Sequence, residues 1–168
     1  MISKVERGES SPTAAVLGKL SAALQLTMSE LLSGVGAGGA AGDAGGDTAV
    51  AGAGQATAAG RVRRFADTPR WRDPDTGYLR RQISTARFPA DVTEVTLPPG
   101  ARVPYPAGSY AFIAQLVWVL SGELTLTDGP ATHVLTAGDT FELGAPRPRE
   151  FRNQTRADCT YVVVVSRL

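Results

Sequence analysis

The chain has 168 residues, with one His, one Cys, 17 basic and 16 acidic side chains. One His and one Cys exclude, within the chain, a zinc site of three or four Cys/His ligands, a three-His metal centre and a disulfide framework. A formal charge of +1 excludes bulk attraction to nucleic acid or an acidic membrane, so any such contact must be local.

The N-terminus from Met1 to Gly8 is polar and has no apolar stretch of the signal-peptide kind. The longest apolar runs, Leu116–Leu120 and Tyr161–Val165, fall far short of the roughly 20 residues that span a bilayer. With an unpaired Cys, which fits a reducing compartment, these features predict a cytoplasmic protein with no membrane partner.

Three segments follow one another: residues 1–33, 34–60 and 61–168. In the first, Ile2 to Arg7 reads as one or two helical turns stopped by Gly8. Ser11 and Pro12 read as the cap and first residue of a second helix. Val16, Leu17, Leu20, Ala23 and Leu24 follow at helical spacing. Thr27 and Glu30 make a T-x-x-E capping box ahead of Leu31 and Leu32. A segment this short, without metal or disulfide, does not fold alone. It reads as part of a larger unit.

Residues 34–60 hold 10 Gly and 10 Ala among 27, with no aromatic residue, Leu or Ile. Such a stretch buries too little apolar area to offset its ordering entropy. It is expected to be a flexible linker with a root-mean-square span of roughly 30 Å.

Residues 61–168 alternate short β-rich runs with turns. Strands are expected at Leu79–Thr85, Val92–Leu97, Gln115–Leu120, Glu123–Thr127, Thr132–Leu135, Thr140–Leu143 and Tyr161–Ser166. Pro98-Pro99-Gly100, Ser121-Gly122, Asp128-Gly129 and Ala137-Gly138 separate them. The pattern predicts a sandwich or jelly roll, with the valines at 162–165 in a strand buried on both faces.

The ordered pattern ISKVERGESSPT…LGKLSAALQLTMSELL resembles the second half of the helix-turn-helix domain of repressor-like, xenobiotic-response-element (XRE) family bacterial regulators. The resemblance implies a chain that begins inside the recognition helix, the element that enters the major groove. It places Lys4 toward the groove, Arg7 near a phosphate, Glu6 in a structural pair with a residue of the absent first helix, and Ile2 and Val5 in the core. Two explanations stand: Met1 is an internal methionine of a longer regulator, or the chain is a genuinely shortened product that no longer binds DNA.

Residues 61–168 resemble a cupin, the small jelly roll that such regulators carry as a ligand-sensing module. Pro98 to Gly122, ending in VWVLSGEL, is similar to the first cupin motif. Gly138 to Asn153, AGDTFELGAPRPREFRN with Ala137, is similar to the second, and Trp71–Arg81 to the lead-in strand. The implied fold is mainly β, a cupin jelly-roll barrel preceded by a partial helix-turn-helix remnant.

In metal-binding cupins the first motif supplies two His and a Glu, and the second supplies one His. By the resemblance, Gln115 stands at the Glu position. The two His positions fall at Ser109 and Ala111, or at Gly108 and Tyr110. Arg149 takes the second-motif His, followed by Asn153. A guanidinium has no lone pair for a metal and repels a divalent cation. No metal, other cofactor or enzymatic activity is therefore expected.

What remains is a concave interior whose expected mouth residues are Tyr105, Tyr110, Gln115, Arg149 and Phe151. An Arg with Tyr and Gln neighbours could hold an anionic small molecule through charge-assisted hydrogen bonds; the plainer alternative pairs Arg149 with Glu150 or Glu142. His133 is expected to be structural or exposed on an outer strand, Trp118 to lie in the core or a dimer interface, and Cys159 to be an inert core thiol.

Residues 61–87 carry eight Arg against three Asp. Ion pairing with Asp67, Asp73 and Asp75 is the expectation, ahead of a nucleic-acid patch. The functional expectation is a transcriptional regulator. Its DNA-binding head is incomplete here, its metal-free cupin domain senses a small ligand, and a homodimer through the cupin sets the spacing of two heads. The alternative is a stand-alone cupin-fold enzyme or small-molecule-binding protein with a spurious N-terminus.

Overall fold

The computed structural model describes residues 12–36 and 62–168. Lys4, Arg7, the expected helix at 2–7, Ser11 and most of the Gly/Ala-rich segment lie outside the described residues. Two helices, α1 (Ala14–Leu24) and α2 (Met28–Gly36), precede a ten-stranded β domain.

Helix α1 begins later than the Ser11-Pro12 pair suggests. Thr13 is the cap: its backbone is extended (φ −77°, ψ 161°) and its side chain accepts from Val16 N–H. The first helical bond runs from Leu17 N–H to Thr13 C=O at 2.9 Å. Pro12 sits ahead of the helix, because Thr13 offers the cap oxygen three residues before Val16. The capping box of α2 forms as expected. Thr27 N–H donates to Glu30 Oε2 at 2.7 Å, and Glu30 N–H to Thr27 Oγ1 at 3.2 Å. Helix α2 also runs to Gly36, past the composition break at Gly34.

The strands are β1 (Arg70–Arg72), β2 (Leu79–Gln82), β3 (Asp91–Leu97), β4 (Arg102–Tyr105), β5 (Ile113–Ser121), β6 (Glu123–Asp128), β7 (Ala131–Thr136), β8 (Thr140–Glu142), β9 (Arg149–Arg152) and β10 (Cys159–Arg167). They form two antiparallel sheets, β1-β2-β3-β10-β5-β8 and β4-β9-β6-β7, packed face to face as a jelly roll. All seven expected strands are present. Three more, RWR, RVPY and REFR, read as polar because their outward positions hold Arg, Pro or Glu; Trp71, Val103, Tyr105 and Phe151 point inward.

The interior is one cluster in which Leu97, Val117, Val119, Leu124, Leu126 and Cys159 are fully buried. Strand β10 is central, between β3 and β5. Its inward side chains Cys159, Tyr161, Val163 and Val165 join the cluster. On the opposite face Val162 is buried and Val164 half-buried, which matches the continuous apolar run.

The helix pair sits on the barrel. Ala14 belongs to the same core cluster as Tyr78 and Phe151. Ala14 N–H donates to Asp73 Oδ1 at 3.1 Å, Ser109 Oγ to Gly18 C=O at 2.8 Å, and Thr27 Oγ1 to Asp91 Oδ2 at 3.1 Å. Arg167 binds both carboxylate oxygens of Glu30 at 2.7 and 2.8 Å. The approach is close: a Cβ on Gly18 would lie 2.8 Å from the Tyr105 ring, and one on Gly108 3.0 Å from Ala22 Cβ.

Candidate functional site

The helices cover one end of the barrel, and the expected mouth residues converge there. Tyr105 ends β4, Tyr110 ends the 3-10 turn Ala107–Tyr110, Gln115 is near the start of β5, and Phe151 is on β9. All four line one cavity of about 60 Å³. Its walls are aromatic. Tyr105 packs edge-on to Tyr110 and to Phe151, at 6.4 and 5.9 Å between ring centroids, and Phe151 stacks on Tyr161 at 5.9 Å.

The lining also includes Tyr78, Arg80, Asp91 and Tyr161, which the sequence does not mark as mouth residues. The hydroxyls of Tyr78 and Tyr105 meet at 3.3 Å, and Tyr78 donates to Met28 Sδ at 3.5 Å. Arg80 pairs in register with Val95, and Leu79 with Thr96. Val95 is core, so Arg80 faces inward and Leu79 outward. Hydropathy suggests the reverse, and it places Arg80 in the ion-pairing arginine cluster of 61–87. The available signal was the alternation from Tyr78 through Arg80 to Gln82 across a short strand.

Arg149 does face inward, opposite Tyr105 and Asp128 in the β4 and β6 ladders, but it does not line the cavity. Its guanidinium is fully buried, with Nε 2.8 Å from Asp128 Oδ1. Nη2 donates to the carbonyls of Gly144 and Ala145 at 3.3 and 3.0 Å. The charge lies 4.4 Å over the Tyr110 ring. The ligand-facing role expected for Arg149 is corrected on this geometry: Asp128, rather than Glu150 or Glu142, neutralises it. Glu150 instead pairs with Arg102 at 2.7 Å.

Burial, reinforced by neighbouring tyrosines, pushes Tyr105 and Tyr161 well above the usual phenol range. Burial also raises Tyr110, against the opposing charge of Arg149. These hydroxyls stay neutral at physiological pH. They can orient a ligand, but they are poorly suited to act as a general base.

The positions at which the resemblance puts metal ligands do not fit a divalent cation. Gln115 offers a neutral amide. Ser109 Oγ donates to Gly18 C=O, Tyr110 is held protonated, and Arg149 is a cation. Among the described residues, no group of three or more His, Cys, Asp or Glu is placed to hold a metal. Asn153, also singled out from the second motif, is buried. Its Nδ2 donates to Leu97 and Ala157 carbonyls at 2.8 and 2.7 Å, and its Oδ1 accepts from Thr155 N–H and Oγ1. It pins the turn between β9 and β10.

Other expectations meet mixed outcomes. His133 is half-buried on β7, its ring 4.8 Å from Phe141. Cys159 is fully buried, and burial, with Glu123 nearby, pushes its thiol up to about 11. Trp118 is 46% exposed on the outer face of the larger sheet, so it is not core. Among the described residues the cluster at 62–87 does not pair with its own Asp residues. Arg81 binds Glu94 through two hydrogen bonds at 2.9 and 2.7 Å, and Arg70 and Arg81 stack on Phe65. Asp73 is buried and accepts instead from the N–H groups of Asp75 and Thr76 in its own turn and of Ala14 at the start of α1. No described helix is long and apolar enough to cross a membrane.

Residues 93–165 match the cupin domain family. No curated protein sequence matches the chain. Among solved structures, the chain is similar to an HTH_3 family transcriptional regulator from Vibrio cholerae, at 17% identity and TM-score 0.67, covering 99% of this chain and 78% of that one. It is similar to a sugar phosphate isomerase of the cupin superfamily from Silicibacter pomeroyi, at 23% identity and TM-score 0.54, over 64% and 76%. A predicted oxalate decarboxylase from Thermotoga maritima gives 17% identity and TM-score 0.56, over 64% and 100%. At these identities the likeness is one of fold.

Proposed function

We propose that this chain, whose residues 93–165 make up a cupin domain, is the sensor part of a transcriptional regulator. The barrel binds a small anionic molecule without a metal, and the N-terminal segment belongs to a DNA-binding head. The observation that carries the reading is the barrel mouth. No charged ligand fills the ligand positions, while a cation, Arg80, and neutral tyrosines line the cavity; its one lining carboxylate, Asp91, is engaged by Gln82 and Thr27. Such a lining suits recognition of an anion rather than metal-assisted chemistry. The likeness in fold to the Vibrio cholerae regulator over 99% of the chain supports joining sensor and head.

In this reading Lys4 and Arg7 are the DNA-facing remnant, and the binding set is Tyr105, Tyr110, Gln115 and Phe151, with Arg80 in place of Arg149. The chain works as a homodimer. Trp118 and Leu120 are exposed side by side on the outer face of the larger sheet, at 46% and 39%, next to Leu116 and the buried Val162. Two copies of that face would bring two heads to a fixed spacing on DNA.

The test combines elemental analysis of the purified protein with thermal shift over a panel of small carboxylates, phosphates and divalent metals, and selection of DNA from a random pool. A stabilising anion is expected, with weak or no DNA retention by this chain alone; tight sequence-specific retention would overturn the incomplete head. Stoichiometric divalent metal, or stabilisation by metals alone, would overturn the metal-free sensor and favour the cupin-fold enzyme.

A further inference from the structure

We infer that the helix pair and the ligand compete for the barrel mouth: a small carboxylate seated on Arg80 takes the space that Met28 and Ser29 of α2 now fill, and so expels the helices. This rests on the sensor reading above.

The volume comes first. The cavity holds about 60 Å³, whereas sites for metabolite-sized ligands are roughly 300–1,000 Å³. The cavity has space for a few waters, too little for a metabolite-sized ligand while the helices are in place. Its walls are sheet and the packed rings of Tyr105, Phe151 and Tyr161. The part of the lining that is not barrel is Ser21, Thr27 and Met28. Met28 is 8% exposed and its sulfur lies 3.5 Å from Tyr78 Oη and 3.9 Å from Tyr105 Oη. It sits where a ligand would have to enter.

The charge comes second. Arg80 Nη2 donates to Ser29 Oγ at 3.2 Å and to Thr93 Oγ1 at 3.1 Å. Asp91 lines the same cavity but accepts from Gln82 and Thr27, and among the described residues no carboxylate stands within the 4.0 Å of an ion pair with Arg80. A half-buried guanidinium with hydroxyl partners alone prefers a carboxylate, which accepts two charge-assisted bonds where Ser29 accepts one. The adjacent rings favour a flat apolar body behind that carboxylate.

The seat of α2 comes third. Open clefts of about 710 and 430 Å³ flank it, and Ser29 and Ser33 line both. Its polar ties to the barrel are few: Thr27 with Asp91, Met28 with the Tyr78 and Tyr105 hydroxyls, Ser29 with Arg80, and Glu30 with Arg167 through both carboxylate oxygens. Apart from Met28, these ties lie at side chains bordering open clefts, on a surface that a ligand could reclaim.

Benzoate, an aryl carboxylate, serves as the probe. Calorimetry measures its binding to the full chain, and amide hydrogen exchange follows residues 14–33 with and without it. Exchange in the helices is expected to quicken at saturating benzoate. A site open only in the undocked state loses affinity in proportion to that state's rarity. Gly18→Leu, which forces a side chain into the Tyr105 ring, should tighten benzoate at least tenfold and leave exchange in the helices fast without ligand. Gly108→Val, which meets Ala22, should do the same if Gly18→Leu does not fold. Arg80→Gln should abolish binding.

Benzoate bound with unchanged or slowed helix exchange overturns the competition and leaves the sensor reading standing. No tightening in either glycine variant overturns it as well. If benzoate binds neither the native chain nor the undocked variants, the Arg80 seat is wrong. Silence across the whole anion panel then overturns the sensor reading with it.

Discussion

Replacing Asp128 with Asn isolates the reassignment of Arg149. The native pair is 2.8 Å apart, with the Arg149 side chain fully buried and that of Asp128 13% exposed. At that distance, with an effective dielectric of about 20, the attraction is on the order of 6 kcal/mol, much of it offset by the cost of desolvating both charges. Removing one partner leaves the other charge buried and unpaired, a loss of about 3–5 kcal/mol. Two carbonyls and the Tyr110 ring still hold the guanidinium, so the loss should fall near 3 kcal/mol. With a urea slope of about 2 kcal/mol/M, the unfolding midpoint should drop by about 1.5 M. The double variant Asp128→Leu/Arg149→Met removes both charges and should return to within about 1 kcal/mol of the native chain. Chemical denaturation followed by circular dichroism gives all three values. If Asp128→Asn costs under 1 kcal/mol and the double variant is no better, Arg149 is not a structural ion pair and is free to meet a ligand.

Three further outcomes follow. Gly122→Ala should cost several kcal/mol, since its φ is +78° and the added Cβ would stand 2.6 Å from Asp158 C=O; Gly100→Ala, with φ +76° and open space around it, should lose only about 1 kcal/mol, and equal losses in denaturation would refute the clash. Cys159, with its thiol pushed up to about 11 by burial, should react with a thiol reagent at pH 8 only as fast as the protein opens, so immediate stoichiometric labelling would contradict its burial. Glu30 is held below its ordinary value by Arg167 and Thr27, against the opposing effect of burial. The unfolded state binds that proton more tightly, so the contribution is present above the unfolded value and fades as pH falls through the native one. Glu30→Gln should therefore cost under about 1 kcal/mol at pH 7 and nothing once acid has protonated the native carboxyl. A cost that persists in acid would assign Glu30 a role other than charge.

What could be read in the sequence separates by distance along the chain. The Thr27–Glu30 box needs only a three-residue spacing, and it forms as expected. The seven hydrophobic strands announce themselves by composition, because Val, Leu and Thr fit a half-buried pleated surface. Strands β1, β4 and β9 did not, since Arg, Pro and Glu on their outer positions mask single inward residues such as Val103 and Phe151. Both arginine assignments depended on register. Arg149 is expected at the mouth; its partner Asp128 lies on β6, brought opposite by the β6–β9 ladder. By sequence Arg80 belongs to a cluster expected to pair with Asp67, Asp73 and Asp75; pairing with Val95 turns it inward. A motif names a position, but the charge at that position is settled by whatever the fold sets across from it.

Gly18 shows how such non-local information can leave a local trace. A glycine inside a helix costs about 1 kcal/mol against alanine, and α1 carries one between Leu17 and Lys19. Nothing within α1 requires it. The requirement comes from Tyr105, whose ring stands where a Cβ would be, and Gly108 repeats the arrangement from the barrel side against Ala22. Paired glycines on two elements far apart in sequence allow backbones to approach closely, and Ser109 uses that approach to reach Gly18 C=O. The helix gives up intrinsic stability at the position where it touches the barrel mouth. That trade makes sense if the docked arrangement is a working state of the molecule, and it is why a side chain at Gly18 should separate the helices from the barrel while leaving the barrel itself folded.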